Sequence, residues 1–127
     1  MHAVLAFSAL PLFLGALLSD WAYTSSYQIQ WLNFSSWLIA AGLVMAGLAL
    51  LGAALDLLRS RAARPHRGAT CLLLLLATFV LGFINALIHA KDAWATMPTG
   101  LVLSALVFVL GAAASAAGLI GVLRRPA

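Results

Sequence analysis

Three polar side chains in the stretch FINALIHAKDAW are spaced so that they could act together. Asn85 and His89 are four residues apart and Asp92 lies three further on, so a helix would carry all three on one face. An imidazole titrates near neutral pH and can exchange protons. The segment therefore predicts either a polar binding site or the polar end of a helix.

A second acid is expected at the same depth. Asp20 ends the first apolar run, while Asn85 and His89 approach the end of the third. These three groups could hydrogen-bond a quinone headgroup or relay a proton, because a carboxylate can orient an imidazole. The alternative, which we favour, is a polar clasp between helix ends, where His89 also interacts well with a C-terminal helix dipole.

Two more histidines are expected near the opposite membrane face. His2 begins the first helix and His66 immediately precedes the third. Two imidazoles at one depth could ligate a b-type haem inside a bundle, although both histidines are explained more simply as interfacial residues. Asp56 stands one turn before Arg59, and this spacing predicts an ion pair along one helix.

No catalytic signature accompanies these groups. The sequence has no zinc-protease HExxH, no phosphate-binding glycine loop and no serine elbow, and the spacing of its Ser, His and Asp residues selects no triad. Cys71 is the only cysteine, which excludes an internal disulfide or a Cys-rich metal site. We therefore expect a protein that is not itself an enzyme.

The composition places these residues in a membrane. Hydrophobic residues make up 65% and charged residues 8% of the 127-residue chain, and its mean hydropathy is +1.09, whereas soluble domains are about 25% charged. Four uncharged runs predict transmembrane helices over about residues 3–22, 35–58, 68–90 and 98–123. We expect an all-α, single-domain bundle in the lipid bilayer, since β-barrel strands would alternate apolar and polar residues.

The boundaries of these runs carry helix-capping residues and aromatic anchors. N-cap candidates for the second helix are Asn33, Ser35 and Ser36, and Thr96 with Pro98 could begin the fourth. Aromatic residues near the first turn and after the third helix predict a belt at one membrane face: Trp21, Tyr23, Tyr27, Trp31, Phe34 and Trp94.

The arginines indicate the orientation. They lie between the second and third helices and after the fourth, at Arg59, Arg61, Arg64, Arg67, Arg124 and Arg125. The positive-inside rule then places both termini in the cytoplasm of a bacterial, multi-pass inner-membrane protein. The formal charge of +4 is explained by topology, so we expect no nucleic-acid partner. A cleaved signal peptide is disfavoured because the start lacks a basic segment.

Small residues form two stripes at helical spacing. Such stripes let helices approach closely in lipid, and they are Gly42, Ala46, Ala49 and Ala53 on the second helix and Gly111, Ala114, Gly118 and Gly121 on the fourth. We expect both stripes to face neighbouring helices.

The segments HAVLAFSALPLFLGALLSD and WLIAAGLVMAGLALLGAALD resemble the bacterial membrane family known as domain of unknown function 2231. The resemblance is carried by His2, Asp20 and Asp56 at matching separations, and it extends through Asn85 to the glycine-rich fourth helix. Two departures are Ala3, where the family has a proline, and Cys71, near the position of a common histidine.

The resemblance implies a redox context, because members are often encoded beside or fused to Rieske-type or sugar-dehydrogenase modules. We therefore expect a small inner-membrane anchor or accessory subunit of a redox complex, non-catalytic itself, bound to other membrane or periplasmic subunits. The alternative is a b-type haem or quinone-binding electron carrier. The sequence leaves the cofactor and any homo-oligomer open.

Overall fold

The computed structural model describes residues 2–59 and 65–123. Within these ranges the chain is helical and has no strand, and it forms α1 (His2–Ser26), α2 (Ile29–Arg59), α3 (Pro65–His89), α4 (Ala93–Thr96) and α5 (Thr99–Leu123). In the described part, four of these helices, all except α4, are long and apolar enough to cross a membrane. The prediction of an all-α bundle with four transmembrane helices is confirmed.

The four long helices form an antiparallel bundle. Each packs against its neighbours in the cyclic order α1, α2, α3, α5, and α5 closes the ring against α1. In this order α1 and α3 lie on a diagonal. We call the end with the α1–α2 turn and α4 the hairpin end, and the end where α1 begins and α2 finishes the termini end.

The turn between α1 and α2 is only two residues long. Tyr27 adopts a left-handed conformation with φ of 54°, and its N–H donates to the Tyr23 carbonyl at 2.7 Å. A left-handed residue that bonds back in this way is a common helix C-terminus. The hydroxyls of Ser25 and Ser26 also bond to carbonyls of the preceding turn, so α1 continues past the predicted end at residue 22.

The predicted start of α2 at residue 35 is wrong, because the helix begins six residues earlier, at Ile29. Ser36 donates to the Leu32 carbonyl at 2.9 Å, and Ser35 is fully buried between helices. A serine that bonds the preceding turn, or a partner helix, does not end a helix. Neither serine is therefore an N-cap.

The start of α5 also differs in detail from the prediction. Thr96 belongs to the short helix α4, and its hydroxyl bonds to the carbonyls of Ile88 and Asp92. The Pro98 carbonyl accepts from the N–H of Val102 at 3.2 Å, so Pro98 immediately precedes α5. The helix itself begins at Thr99, one residue later than predicted.

The α2 stripe lies in the bundle interior. A Cβ added at Gly42 would come within 2.6 Å of the Phe13 ring on α1, so the glycine provides the space that this ring occupies. Ala46, Ala49 and Ala53 continue the same buried seam. Because apolar burial does not favour helix over lipid, such close packing is a main source of attraction here.

The α5 stripe packs against its neighbours along most of its length. Ala114 is fully buried. A Cβ added at Gly111 would lie 3.5 Å from Cδ2 of Leu10, and a Cβ added at Gly118 would lie 3.6 Å from the Cβ of Ala3. Gly121 is the exception, because no atom of the described residues lies within 4 Å of its added Cβ. Its inclusion in the seam is wrong: α1 begins beside Gly118, so no described part of α1 reaches the next turn of α5.

Candidate functional site

A group of buried polar side chains lies inside the bundle near the hairpin end. All four long helices contribute to it, and the side chains that we call the polar cluster are Asp20 on α1, Ser35 on α2, Asn85 and His89 on α3, and Ser104 on α5. Their residues are between 0% and 6% exposed. The sequence predicts Asp20, Asn85 and His89 at one depth, and the structure brings all three together.

An acid–imidazole pair forms the centre of the polar cluster. Nε2 of His89 lies 2.8 Å from Oδ1 of Asp20, and the two side chains are 1% and 0% exposed. Ser104 Oγ donates to the other oxygen of Asp20 at 2.5 Å. Since α1 and α3 are diagonal in the bundle, this pair joins two helices that otherwise lack a common packing seam.

The partners of His89 indicate where its protons lie. Nδ1 is 2.9 Å from the backbone carbonyl of Asn85, which can only accept, so Nδ1 carries a proton. Ser35 donates its own proton to the Ala16 carbonyl at 3.2 Å and therefore offers a lone pair to Nε2 at 3.4 Å. This pattern favours a second proton on Nε2, giving an imidazolium beside the Asp20 carboxylate.

Asn85 connects the pair to α5. Its Nδ2 donates to Ser104 Oγ at 2.8 Å, so the Ser104 hydroxyl accepts from Asn85 and donates to Asp20. The other amide atom, Asn85 Oδ1, is buried and has no hydrogen-bond partner among the residues that the structure describes. Within the polar cluster, Asn85 Oδ1 is thus the one buried side-chain acceptor without a described partner.

The short helix α4 covers the polar cluster at the hairpin end. Thr96 is fully buried, and the Tyr23 hydroxyl ties α1 to this cover by donating to the Ala93 carbonyl at 3.4 Å. Gly100, at the start of α5, lies against His89, since an added Cβ would meet the imidazole Cε1 at 2.9 Å. The imidazole is therefore enclosed by backbone as well as by side chains.

Outside this cover lies a groove of about 370 Å³. Its lining combines aromatic and small polar residues, namely Tyr23, Thr24, Tyr27, Ala93, Trp94, Met97 and Pro98. Trp94 is 86% exposed and Trp21 is 64% exposed, in keeping with the aromatic belt predicted for this end. Tyr23 differs from that prediction, because it is buried and bonded to α4.

A second acid–imidazole pair lies at the termini end. Nδ1 of His2 is 2.9 Å from Oδ2 of Asp56, with the two side chains 16% and 52% exposed. The predicted partner of Asp56, Arg59, is wrong, because in the antiparallel bundle the start of α1 packs beside the end of α2. The backbone of His2 also packs against α2, because its Cα would lie 3.7 Å from a Cβ added at Gly52.

The helices leave no room for a haem inside the bundle beside His2. An added Cβ at Gly118 would be in contact with Ala3 on α1 and with Cys71 on α3, so three helices touch at this depth. A porphyrin between them does not fit. His66 lies in the first turn of α3, but its side chain falls outside the described residues. No group of three metal-binding side chains occurs in the part that the structure describes.

The sequence does not predict the place of Ser35 and Ser104 in the polar cluster: Ser104 is not singled out, and Ser35 is singled out only as an N-cap. Serines in these helices commonly bond to a carbonyl of their own preceding turn, as Ser8 and Ser19 do. Nothing in the sequence separates those serines from the two that reach across to another helix. The one available signal is depth, because both lie one to two turns inside the hairpin end, level with Asp20.

Four membrane-crossing helices closed around a buried acid–imidazole pair define a multi-pass helical membrane protein. The model of the predicted membrane protein family DUF2231 matches residues 1–124. The chain belongs to this family, which confirms the resemblance noted from its sequence. No curated protein and no solved structure matches the chain.

Proposed function

We propose that the protein is a non-catalytic anchor or accessory subunit of a redox complex in the bacterial inner membrane, with both termini in the cytoplasm. The observation that carries this proposal is the polar cluster, in which side chains from all four long helices bond to one another. The redox context is what the resemblance of the sequence to its family implies.

The two acid–imidazole pairs support a structural use of the ionisable groups. Such groups are costly within a membrane and are usually paired. Asp20 with His89 joins α1 to α3, and His2 with Asp56 joins α1 to α2 at the other end. Both pairs hold helices at fixed positions, as a subunit that presents a rigid surface to partners requires.

The hairpin end offers the surface on which we expect the partner to bind. Trp94 and Tyr27 are largely exposed there and border the groove outside α4. Aromatic residues are enriched in protein interfaces, where they bury a large area at low entropy cost. In the proposed orientation this end faces the periplasm, where redox modules of the kind encoded beside family members would meet it.

Purification from the native membrane tests the proposal. The tagged protein, extracted in mild detergent, should co-purify with a subunit whose visible spectrum shows a flavin, iron–sulfur or haem chromophore. A Trp94→Ser variant should retain less of that subunit, whereas Leu119→Ser on the lipid-facing side of α5 should retain it fully. Recovery of this chain alone, as a monomer or a homo-oligomer, would contradict the proposal.

The orientation can be tested separately by cysteine labelling. In a Cys71→Ala background, a cysteine at exposed Trp94 should react with a membrane-impermeant maleimide added to intact spheroplasts. A cysteine at exposed Arg59, at the termini end, should react only after lysis. The reverse pattern would place the termini in the periplasm and contradict the assignment made from the arginines.

A second candidate function is electron or proton transfer with a quinone. It is favoured by the meeting of Asp20, Asn85 and His89, and the free acceptor on Asn85 could accept from the hydroxyl of the reduced form, a quinol. A quinone analogue added to the purified protein should then quench tryptophan fluorescence in a saturable way, and this effect should weaken in Asn85→Leu. Quenching that does not saturate, or that is unchanged in Asn85→Leu, would contradict this candidate.

A further inference from the structure

We propose that the polar cluster is a hydrated proton-binding site, in which one internal water molecule donates to Asn85 Oδ1 and Asp20 takes up one proton on acidification. This inference does not depend on the accessory-subunit proposal, because it concerns only the interior of the chain. Its ligands are a water molecule and a proton.

The unpaired oxygen of Asn85 is the observation that requires the water. Asn85 is 1% exposed, and its Oδ1 is buried without a partner. Buried polar atoms are bonded in the great majority of cases, and internal water molecules typically satisfy the remaining ones. The polar side chains gathered around Asp20 make this the most polar part of the described interior.

Rotating the amide by 180° does not remove the need for a partner. The rotation would place Asn85 Oδ1 against Ser104 Oγ, which would then have to donate its proton to Asn85. That proton is used in the bond to Asp20 Oδ2 at 2.5 Å. The rotated amide would also leave Nδ2 unpaired in place of Oδ1, so the orientation with Nδ2 on Ser104 is preferred.

The same assignment of hydrogen-bond donors and acceptors shows how the polar cluster can take up a proton. If a proton adds to Asp20 Oδ2, this oxygen donates to Ser104, and Ser104 in turn donates to a rotated Asn85 Oδ1. Nδ2 then donates to the water molecule, which can accept as well as donate. No covalent bond other than the new O–H bond forms, and the net charge of the Asp20–His89 pair changes from zero to +1.

Few other groups can interfere with this proton. α2 and α5 present the hydroxyls of Ser35 and Ser104 to the pair, and α4 presents Thr96. Lys91 and Asp92, between α3 and α4, are both exposed to the surroundings. Asp20 is therefore the group of the polar cluster to which the added proton binds.

The water can be detected in the unmodified protein by nuclear magnetic resonance. The chain contains two asparagines, Asn33 and Asn85, so labelling with ¹⁵N-asparagine gives two side-chain amide signals that Asn33→Gln assigns. We expect a cross-relaxation peak between the Asn85 amide and a long-lived water, with the opposite sign from that of exposed Asn33. An Asn85 amide without any peak to water overturns the hydrated site.

Infrared spectroscopy tests the proton. The exposed acids Asp56 and Asp92 give carboxylic acid C=O bands of their own as the pH is lowered, so the Asp20 band is the component that appears on acidification and is absent from Asp20→Asn. This component should persist when Asp56→Asn and Asp92→Asn are combined, which leaves Asp20 as the only acidic side chain and keeps the test decisive if Asp20→Asn fails to fold. A component already present at neutral pH, one that never appears, or one that is lost in the combined variant overturns the proposal.

Discussion

Replacing Asp20 by asparagine removes a negative charge from the polar cluster while keeping the shape of the side chain. The imidazolium of His89 then loses its counter-ion at a position where both side chains are at most 1% exposed. Breaking a buried ion pair in this way costs about 3–5 kcal/mol. We expect the lower end, about 3 kcal/mol, because His89 can lose a proton and the new amide can still bond to it.

The same chain contains a matched control. In Asp56→Asn the equivalent change is made in a pair whose acid is 52% exposed and whose distance, 2.9 Å, is close to the 2.8 Å of the buried pair. A solvent-exposed ion pair contributes about 0.2–1 kcal/mol. Asp20→Asn should therefore destabilise the protein at least three times as much as Asp56→Asn, although the distances are nearly equal.

Reversible unfolding in mixed micelles, followed by circular dichroism, measures both changes. A double-mutant cycle with His89→Gln and one with His2→Gln isolates each pairwise coupling. Ordinary interhelical hydrogen bonds in membrane proteins average about 0.6 kcal/mol and reach about 1.7 kcal/mol. A coupling between Asp20 and His89 in that ordinary range would refute the assignment of a buried charged pair.

Glycine positions provide the remaining predictions. Gly42→Ala should destabilise the bundle by about 1–3 kcal/mol in the same unfolding assay, because its Cβ would enter the Phe13 ring. Gly121→Ala should be neutral or slightly stabilising, because no described atom lies within 4 Å of its added Cβ. Equal effects of the two substitutions would contradict the packing described. Gly100→Ala should move the ring of His89, which lies 2.9 Å from the added Cβ. In ¹⁵N-histidine spectra we expect the His89 signals to shift while those of His2 remain in place, and unchanged His89 signals would argue against the enclosure of the imidazole.

The architecture was largely predictable, because a long uncharged segment has few alternatives to a membrane-spanning helix. The depth of Asp20, Asn85 and His89 also followed from counting residues along each run. The ends of the helices were less predictable. Ser35 and Ser36 have the residue type of N-caps, but their role depends on whether a partner helix lies beside them, and a sequence does not contain that information.

The contacts between helices were predicted least well. Asp56 had an acceptable partner one turn away in Arg59, yet it bonds to His2, which is distant in sequence and adjacent only because α1 and α2 are antiparallel. Ser104 was not singled out, although it links Asn85 to Asp20. The small-residue stripes indicate which face of α2 and α5 is buried, but they do not say which polar side chains of different helices come within bonding distance.

The diagonal pairing of Asp20 with His89 has a consequence for how the chain is made. These residues are 69 positions apart, so α1 and α2 are synthesised and enter the membrane before the imidazole exists. His2 and Asp56 can already hold this first pair of helices together, whereas Asp20 must wait for α3. The acid on α1 therefore has no imidazole partner while only α1 and α2 are in the membrane, and the completion of α3 supplies that partner.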